Sequence, residues 1–291
     1  MTGQLTNLQL FEQHFLQQRR AKQWRSLGYL ALILVITLIT MQVGEVSMAR
    51  LMRGLPNIGN YIYDTLPTLR WQTLFSDLAE WFWSLEYWLW LLLDTIVIGF
   101  LGTALGGALA LLFCFTASRN LVRSSVLYFV SRRVLELART VPELVFAMIF
   151  VFAFGIGPLA GVLAIALHTA GALGKLFAEV NENVDAKPIE GLQASGGNWL
   201  LTMRYAVLPQ VLPNYASYAL LRFEINVRSA SVLGIVGAGG IGQELYYVIR
   251  QFEYQDISAL VLLIILMVTL IDFICEKIRF SLIGQEKLRS L

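Results

Sequence analysis

The chain has 291 residues, of which 57% are apolar and only 14% charged, with a mean hydropathy of +0.63. Soluble domains run at about 45–50% apolar and about 25% charged, so this composition excludes an ordinary soluble protein, a disordered chain and a nucleic-acid binder. The 22 Lys and Arg barely exceed the 20 Asp and Glu, too small a surplus to attract a polyanionic partner. The reading is an all-α integral membrane protein.

A spanning helix needs about 20 mostly apolar residues. Taken in chain order, the tracts 27–43, 88–112, 141–154, 159–177, 212–236 and 257–275 are the candidates. The third and fourth form one apolar stretch cut by Gly155, Gly157 and Pro158, which reads as two helices and a tight turn. Pro142 is tolerated because it falls in the first turn of its helix. Six spans result. The first is not expected to be a cleaved leader, since 26 residues of polar sequence precede it and no small-x-small site follows.

Charge sets the expected orientation. Sixteen of the Lys and Arg fall in the N-terminal segment, the loops after spans two and four, and the tail. Only Arg50, Arg53, Arg70 and Arg250 fall on the other side. Cations accumulate on the cytoplasmic side, so both termini are expected inside. The outer segment 44–87 is long for a bare loop. Trp71, Leu74, Phe75, Leu78 and Phe82 recur in it at helical spacing. They predict an amphipathic helix that either lies in the outer interface or packs on other spans. Residues 119–139 predict a short cytoplasmic helix.

No catalytic set can be assembled. Cys114 and Cys275 cannot form a disulfide scaffold or a thiolate metal site, and His14 and His168 lack metal-ligand spacing. There is no phosphate-binding loop of the form G-x-x-x-x-G-K-[ST], so any ATP used must be hydrolysed by another chain. The run Gly237-Ala-Gly239-Gly240-Ile-Gly242 fits G-x-G-x-x-G but follows a hydrophobic span, not a strand, which removes the dinucleotide reading. It is instead a helix break, acting as a gate at the mouth of a pathway or serving helix packing alone.

Charges inside spans are costly unless they face protein or water. Asp94, Glu143 and Asp272 are three such carboxylates, and span five carries Arg222, Glu224, Asn226 and Arg228. Glu224 and Arg228 form an i,i+4 pair that either neutralises itself or lines a pathway. Arg222 has no helical partner at that spacing and is the candidate for meeting an anion. Ser229 and Ser231 are candidate hydroxyl donors to an oxyanion beside Arg222 or Arg228.

The strongest motif is Glu190-Gly191-Leu-Gln-Ala-Ser-Gly196, followed after nine residues by Ala206-Val-Leu208-Pro209. It resembles the signature loop of ATP-binding-cassette importer permeases, E-A-A-x3-G-x9-I-x-L-P. Glu190, Gly196, Leu208 and Pro209 match, whereas Gly191, Leu192 and Ala206 depart from it with small or apolar residues. The stretches 139–144 and 223–242 look like the phosphonate-transporter permeases. The last part of the second stretch also resembles methionine-importer permeases.

The resemblance implies a type I importer permease fold with both termini inside. Residues 1–26 would be a cytoplasmic segment, 27–87 the first span with its periplasmic amphipathic segment, and 88–291 the permease core with a coupling loop at 180–211. It further implies a homodimer in the inner membrane, a cytoplasmic ATPase dimer carrying ATP and Mg, a periplasmic substrate-binding protein, and no cofactor in this chain. The implied cargo is a phosphonate, phosphite or phosphate moved by alternating access. The alternatives are a permease for another small solute such as methionine, a membrane-embedded enzyme, or an ATP-independent channel.

Overall fold

A computed structural model describes residues 7–289 of the chain. The first six residues of the expected cytoplasmic segment, and the side chains of Lys287 and Arg289 in the tail, lie outside the described residues. The described residues are helical and contain no strand. They divide into two units, the first ending at Tyr63 and the second beginning at Asp64.

In the first unit, α1 (Asn7–Val43) is 37 residues long, about 55 Å at 1.5 Å per residue and longer than the roughly 30 Å of bilayer hydrocarbon. Almost every side chain from Leu27 to Val43 is exposed within this unit. After a short turn, α2 (Met48–Thr65) follows. The sequence reading missed this helix. Leu51, Leu55, Ile58 and Ile62 do recur at helical spacing. However, Gly54, Pro56 and Gly59 are helix-weakening residues that masked the pattern.

The second unit begins with the outer amphipathic helix, α3 (Leu74–Trp81), shorter than expected. Its N-terminal turn is held by Asp77. The Arg70 backbone N–H donates to this carboxylate at 2.9 Å and the Thr73 hydroxyl at 3.0 Å. These bonds, the Arg70 N–H foremost, hold the Asp77 pKa below the ordinary aspartate value. The structure decides between the two placements of this segment. Trp81 donates its indole N–H to Ser258 Oγ at 3.0 Å, Trp83 donates to Asp256 at 3.2 Å, and Trp81 and Phe82 pack on the core around Trp88 and Leu260. The helix is docked on the protein, although Trp71 and Phe75 remain exposed.

Next come α4 (Leu85–Cys114), α5 (Ser125–Thr140), α6 (Glu143–Phe154) and α7 (Pro158–Glu182). The third span differs from expectation. At 12 residues, α6 is about 18 Å long, too short to cross a bilayer alone, and it is bent 86° from α5. Among the described residues, four helices are long and apolar enough to span by themselves, and six spans result only if each of two bent pairs counts as one. The reason is local. Pro142 disfavours helical geometry in the residue before it, and Gly155 and Gly157, both at positive φ, end α6 before Pro158 opens α7.

The core is a seam of small residues between α4 and α7. Thr95, Gly99, Gly102, Thr103, Gly106 and Ala110 form a buried stripe on α4. A methyl group on Gly102 would sit 2.5 Å from Ile165 Cγ2, and one on Gly106 2.6 Å from the Ala166 carbonyl oxygen. Small residues let helix backbones approach in this way where lipid offers no hydrophobic drive for helices to associate. At one end of the seam, Arg132 grips Glu182 through Nη2 at 3.1 and 3.0 Å and donates from Nε to the Ala117 carbonyl at 3.2 Å. This ties α5 and the 115–124 segment to the end of α7.

The chain continues through α8 (Ala186–Ala194), α9 (Trp199–Thr202), a π-turn (Met203–Val207), α10 (Leu208–Leu233) and a 3₁₀ turn (Gly234–Val236). It ends with α11 (Ile241–Gln251) and α12 (Tyr254–Arg289).

Candidate functional site

Three features make up the candidate site: the α8–α9 loop, the glycine turn after α10, and the polar face of α10.

In the loop, Asp185 caps α8 by accepting from the Lys187 N–H at 3.1 Å. The helix then closes in a Schellman arrangement. The Gly196 N–H donates to the Gln193 carbonyl at 3.0 Å and the Gly197 N–H to the Leu192 carbonyl at 2.9 Å. Gly196 takes φ +83°, the left-handed conformation this cap requires. Asn198 caps α9 by accepting from the Leu201 N–H at 2.9 Å. Trp199 pins α9 to the 115–124 segment, donating its indole N–H to the Leu121 carbonyl at 3.0 Å. Glu190 and Gly191 lie exposed on α8. Leu208 and Pro209 open α10, which continues from the π-turn without a break, so Pro209 does not restart a helix after a loop. Gln210 donates to the Ala206 carbonyl at 2.7 Å and accepts from the Asp185 N–H at 3.0 Å, binding the start of α8 to the start of α10.

The glycine turn is packed tightly. Gly237, Gly239 and Gly240 take positive φ. The Gly157 N–H donates to the Gly237 carbonyl at 2.9 Å and the Ile241 N–H to Thr95 Oγ1 at 2.9 Å. Gly242 lies directly against the Ser231 carbonyl. The turn thus joins α10 and α11 to α4 and to the α6–α7 break.

The polar face of α10 corrects two expectations. Arg222 has no partner at helical spacing and is the expected anion contact, but its Nη2 donates to Glu143 Oε1 of α6 at 2.6 Å. Its Nε lies 3.4 Å from Thr169 Oγ1, and both side chains of the ion pair are 14% exposed. The partner is 79 residues away in sequence, beyond the reach of any helical spacing rule. His168 adds its Nε2 at 3.7 Å from the same Glu143 oxygen, with Nδ1 3.0 Å from the Val141 carbonyl. Ser231 was read as a donor to an anion. It is buried, and its hydroxyl donates to the Val227 carbonyl at 3.3 Å.

The remaining residues of that face fall in two places. Asn226 is fully buried and donates to Thr103 and Thr169 at 2.8 and 2.9 Å, so α4, α7 and α10 meet in one polar node. Arg228 lies 4.0 Å from Glu224 but donates to Asp272 of α12 at 3.1 Å, so its closer partner is off its own helix. Its side chain is 54% exposed. With Ser229 and Glu143 it lines an open groove of about 270 Å³ between α6 and α10, together with Leu144, Ile225, Val232 and Leu233. Asp94 lies exposed on α4. No group of His, Cys, Asp and Glu among the described residues is arranged to hold a metal ion.

The Arg222–Glu143 pair changes what removing Arg222 should do. Arg222→Ala strands a buried carboxylate, a loss of about 3–5 kcal/mol. The expected result is little folded protein in the membrane, measured by fluorescence-detected size exclusion. The double change Arg222→Gln with Glu143→Gln should recover most of it. Full recovery of folded protein by Arg222→Ala alone would contradict the pairing.

This architecture is shared with known proteins. Residues 102–278 match the family described as binding-protein-dependent transport system inner membrane component, and the chain belongs to that family. It is a permease subunit of a transport system, a multi-pass protein of the inner membrane. It is 38% identical to the phosphite transport system permease protein PtxC of Stutzerimonas stutzeri over 89% of this chain and 90% of the relative. It is 27% identical to a probable D-methionine transport system permease protein, MetI, of Vibrio cholerae over 72% of this chain and 88% of that one. Among solved structures, the fold is similar to a chain of the inward-facing MetNI methionine ABC transporter, with TM-score 0.58 and 22% identity, covering 69% of this chain and 96% of that one. It is also similar to a chain of a bacterial alginate ABC transporter, with TM-score 0.54 and 13% identity, covering 88% and 99%.

Proposed function

We propose that this chain is the membrane-spanning subunit of an ATP-binding-cassette importer for a phosphonate or a related phosphorus oxyanion, phosphite or phosphate. The observation that carries the reading is the near full-length similarity to a phosphite permease. A phosphate-import permease of Mycolicibacterium smegmatis, 39% identical over 65% of this chain and 36% of its own length, points the same way. In this reading both termini are cytoplasmic and two copies pair. Glu190, Gly191, Gly196, Leu208 and Pro209 belong to the element that docks on a cytoplasmic ATPase dimer. ATP and Mg act in that partner, and a periplasmic binding protein delivers the solute. Closure of the ATPases moves α8, and the spans switch which side of the central pathway is open. Arg228 and Ser229 line the pathway, and Gly237, Gly239, Gly240 and Gly242 set the hinge at its mouth.

The second reading is the same machine for methionine, supported by the weaker similarity to the D-methionine permease. Uptake in a strain lacking its own phosphonate, phosphite and methionine importers separates them. Cells given the permease with its ATPase and binding protein should accumulate labelled phosphite or methylphosphonate and not methionine. Methionine uptake alone would overturn the first reading.

A further inference from the structure

The groove between α6 and α10 contains one acceptor and two donors that no other contact fully uses. Glu143 presents Oε1 to Arg222 at 2.6 Å and to His168 at 3.7 Å, while its Oε2 makes no hydrogen bond among the described residues. As the ion-pair partner of Arg222, Glu143 is a carboxylate and can only accept. Arg228 commits Nη2 to Asp272, yet its side chain is 54% exposed. The Ser229 hydroxyl makes no hydrogen bond among the described residues. The charged and titratable groups facing Glu143 are His168 from α7 and Arg222 from α10. Across the groove stands Arg228, with Asp272 of α12 behind it.

An anion that enters this groove meets donors on one side and a carboxylate on the other. A fully deprotonated oxyanion satisfies Arg228 and Ser229 but sets bare oxygen against the Glu143 carboxylate. A singly protonated phosphorus oxyanion satisfies all three. Its P–O⁻ oxygens accept from Arg228 and Ser229, and its P–OH donates to Glu143 Oε2. Sulfate has a similar shape and charge but carries no proton near neutral pH.

We propose that this groove is the subsite that reads the protonation state of the transported anion, with Glu143 as its specificity-determining residue. The proposal rests on the phosphorus-oxyanion reading above. It goes further by assigning the discrimination to the permease itself, through an acceptor that admits only an anion bringing its own proton.

The test is equilibrium binding of labelled phosphite to the permease assembled with its ATPase in detergent, without the binding protein. The pH is set below the second ionisation of the probe, with sulfate and methylphosphonate as competitors. In the wild type, sulfate should compete about tenfold or more less well than methylphosphonate, as expected when a buried polar group is left facing the wrong partner. In Glu143→Gln combined with Arg222→Gln, so that no buried Arg222 charge is left without a partner, the gap should close to about twofold, because an amide can turn its N–H toward an aprotic oxygen. Ser229→Ala should weaken both competitors equally and leave the gap intact. A readout that needs no variant is the wild type itself. Raising the pH through the second ionisation of phosphite should weaken its binding, while the competition by sulfate stays constant. An unchanged gap in the double variant, pH-independent phosphite binding, or no phosphite binding to the wild type would each overturn the subsite. If the complete transporter imports a phosphorus oxyanion while one of these results holds, the subsite alone fails. If it imports none, the functional reading fails as well.

Discussion

Gly196→Glu is expected to reduce uptake to background while the protein still inserts in the membrane. The space around Gly196 is open, with no atom within 4 Å of where a Cβ would stand, so steric collision is not the cause. The cause is the backbone. At φ +83° an L-residue with a side chain costs about 1–2 kcal/mol. The chain relieves that cost by leaving the left-handed conformation, which breaks the two hydrogen bonds closing α8 and re-aims α8 relative to α9. The loss is small against total stability but falls on the element proposed to dock on a partner ATPase. Gly196→Asn should keep most of the uptake, because Asn tolerates this conformation. Uptake assays alongside quantified membrane protein check both variants. Normal transport by Gly196→Glu would remove the coupling role of the loop.

Gly242→Ala should destabilise the protein far more than its single methyl group suggests. That methyl would run into the Ser231 carbonyl and approach Gly234 Cα at 3.3 Å. Both neighbours are backbone, so no rotamer change can make room. Overpacking costs about 1–3 kcal/mol when side chains can yield, and here the upper end is expected. At roughly 2–4 °C per kcal/mol for a chain of this size, thermal unfolding of the purified protein should fall by on the order of 10 °C. Gly28→Ala is the control. It lies within α1 with nothing near its would-be Cβ, and Ala is the better helix former there by about 0.5–1 kcal/mol. Equal melting of the two variants would show that the glycine turn is loosely packed.

These two glycines differ in how far the sequence reveals them. The importance of Gly196 is legible in the sequence because its constraint is local: a capping residue, a helix, a glycine and a second capped helix all lie between Asp185 and Thr202. The packing of Gly242 depends on α10 and α11 folding back on each other, and the sequence reading left gating and packing open there. The same distinction runs through the charges. Glu224 and Arg228 can be paired from helical spacing, but the closer contact of Arg228 is with Asp272, 44 residues on. The Arg222–Glu143 pair and the inward turn of Ser231 are not legible in the sequence for the same reason. The small-residue seam on α4 is visible as Gly99, Gly102 and Gly106, yet only the structure shows what it receives, Val227 of α10 at Gly99 and α7 at Gly102 and Gly106.

The sequence by itself determined that the chain lives in a membrane, where its main spans lie, which side its cations favour, and where the α8 loop must turn. Each rests on a property summed over neighbouring residues: hydropathy across about 20 positions, charge in short loops, and the φ freedom of one glycine. Only the tertiary structure decided that α6 is too short to cross a bilayer alone and is bent 86° from α5. It also decided that α3 docks through its tryptophans, and that Glu143, Arg228 and Ser229 face one groove. Those outcomes depend on which helices become neighbours. In a membrane protein that choice is made by close packing and by the need of buried polar groups to find partners, so residues far apart in sequence settle it together.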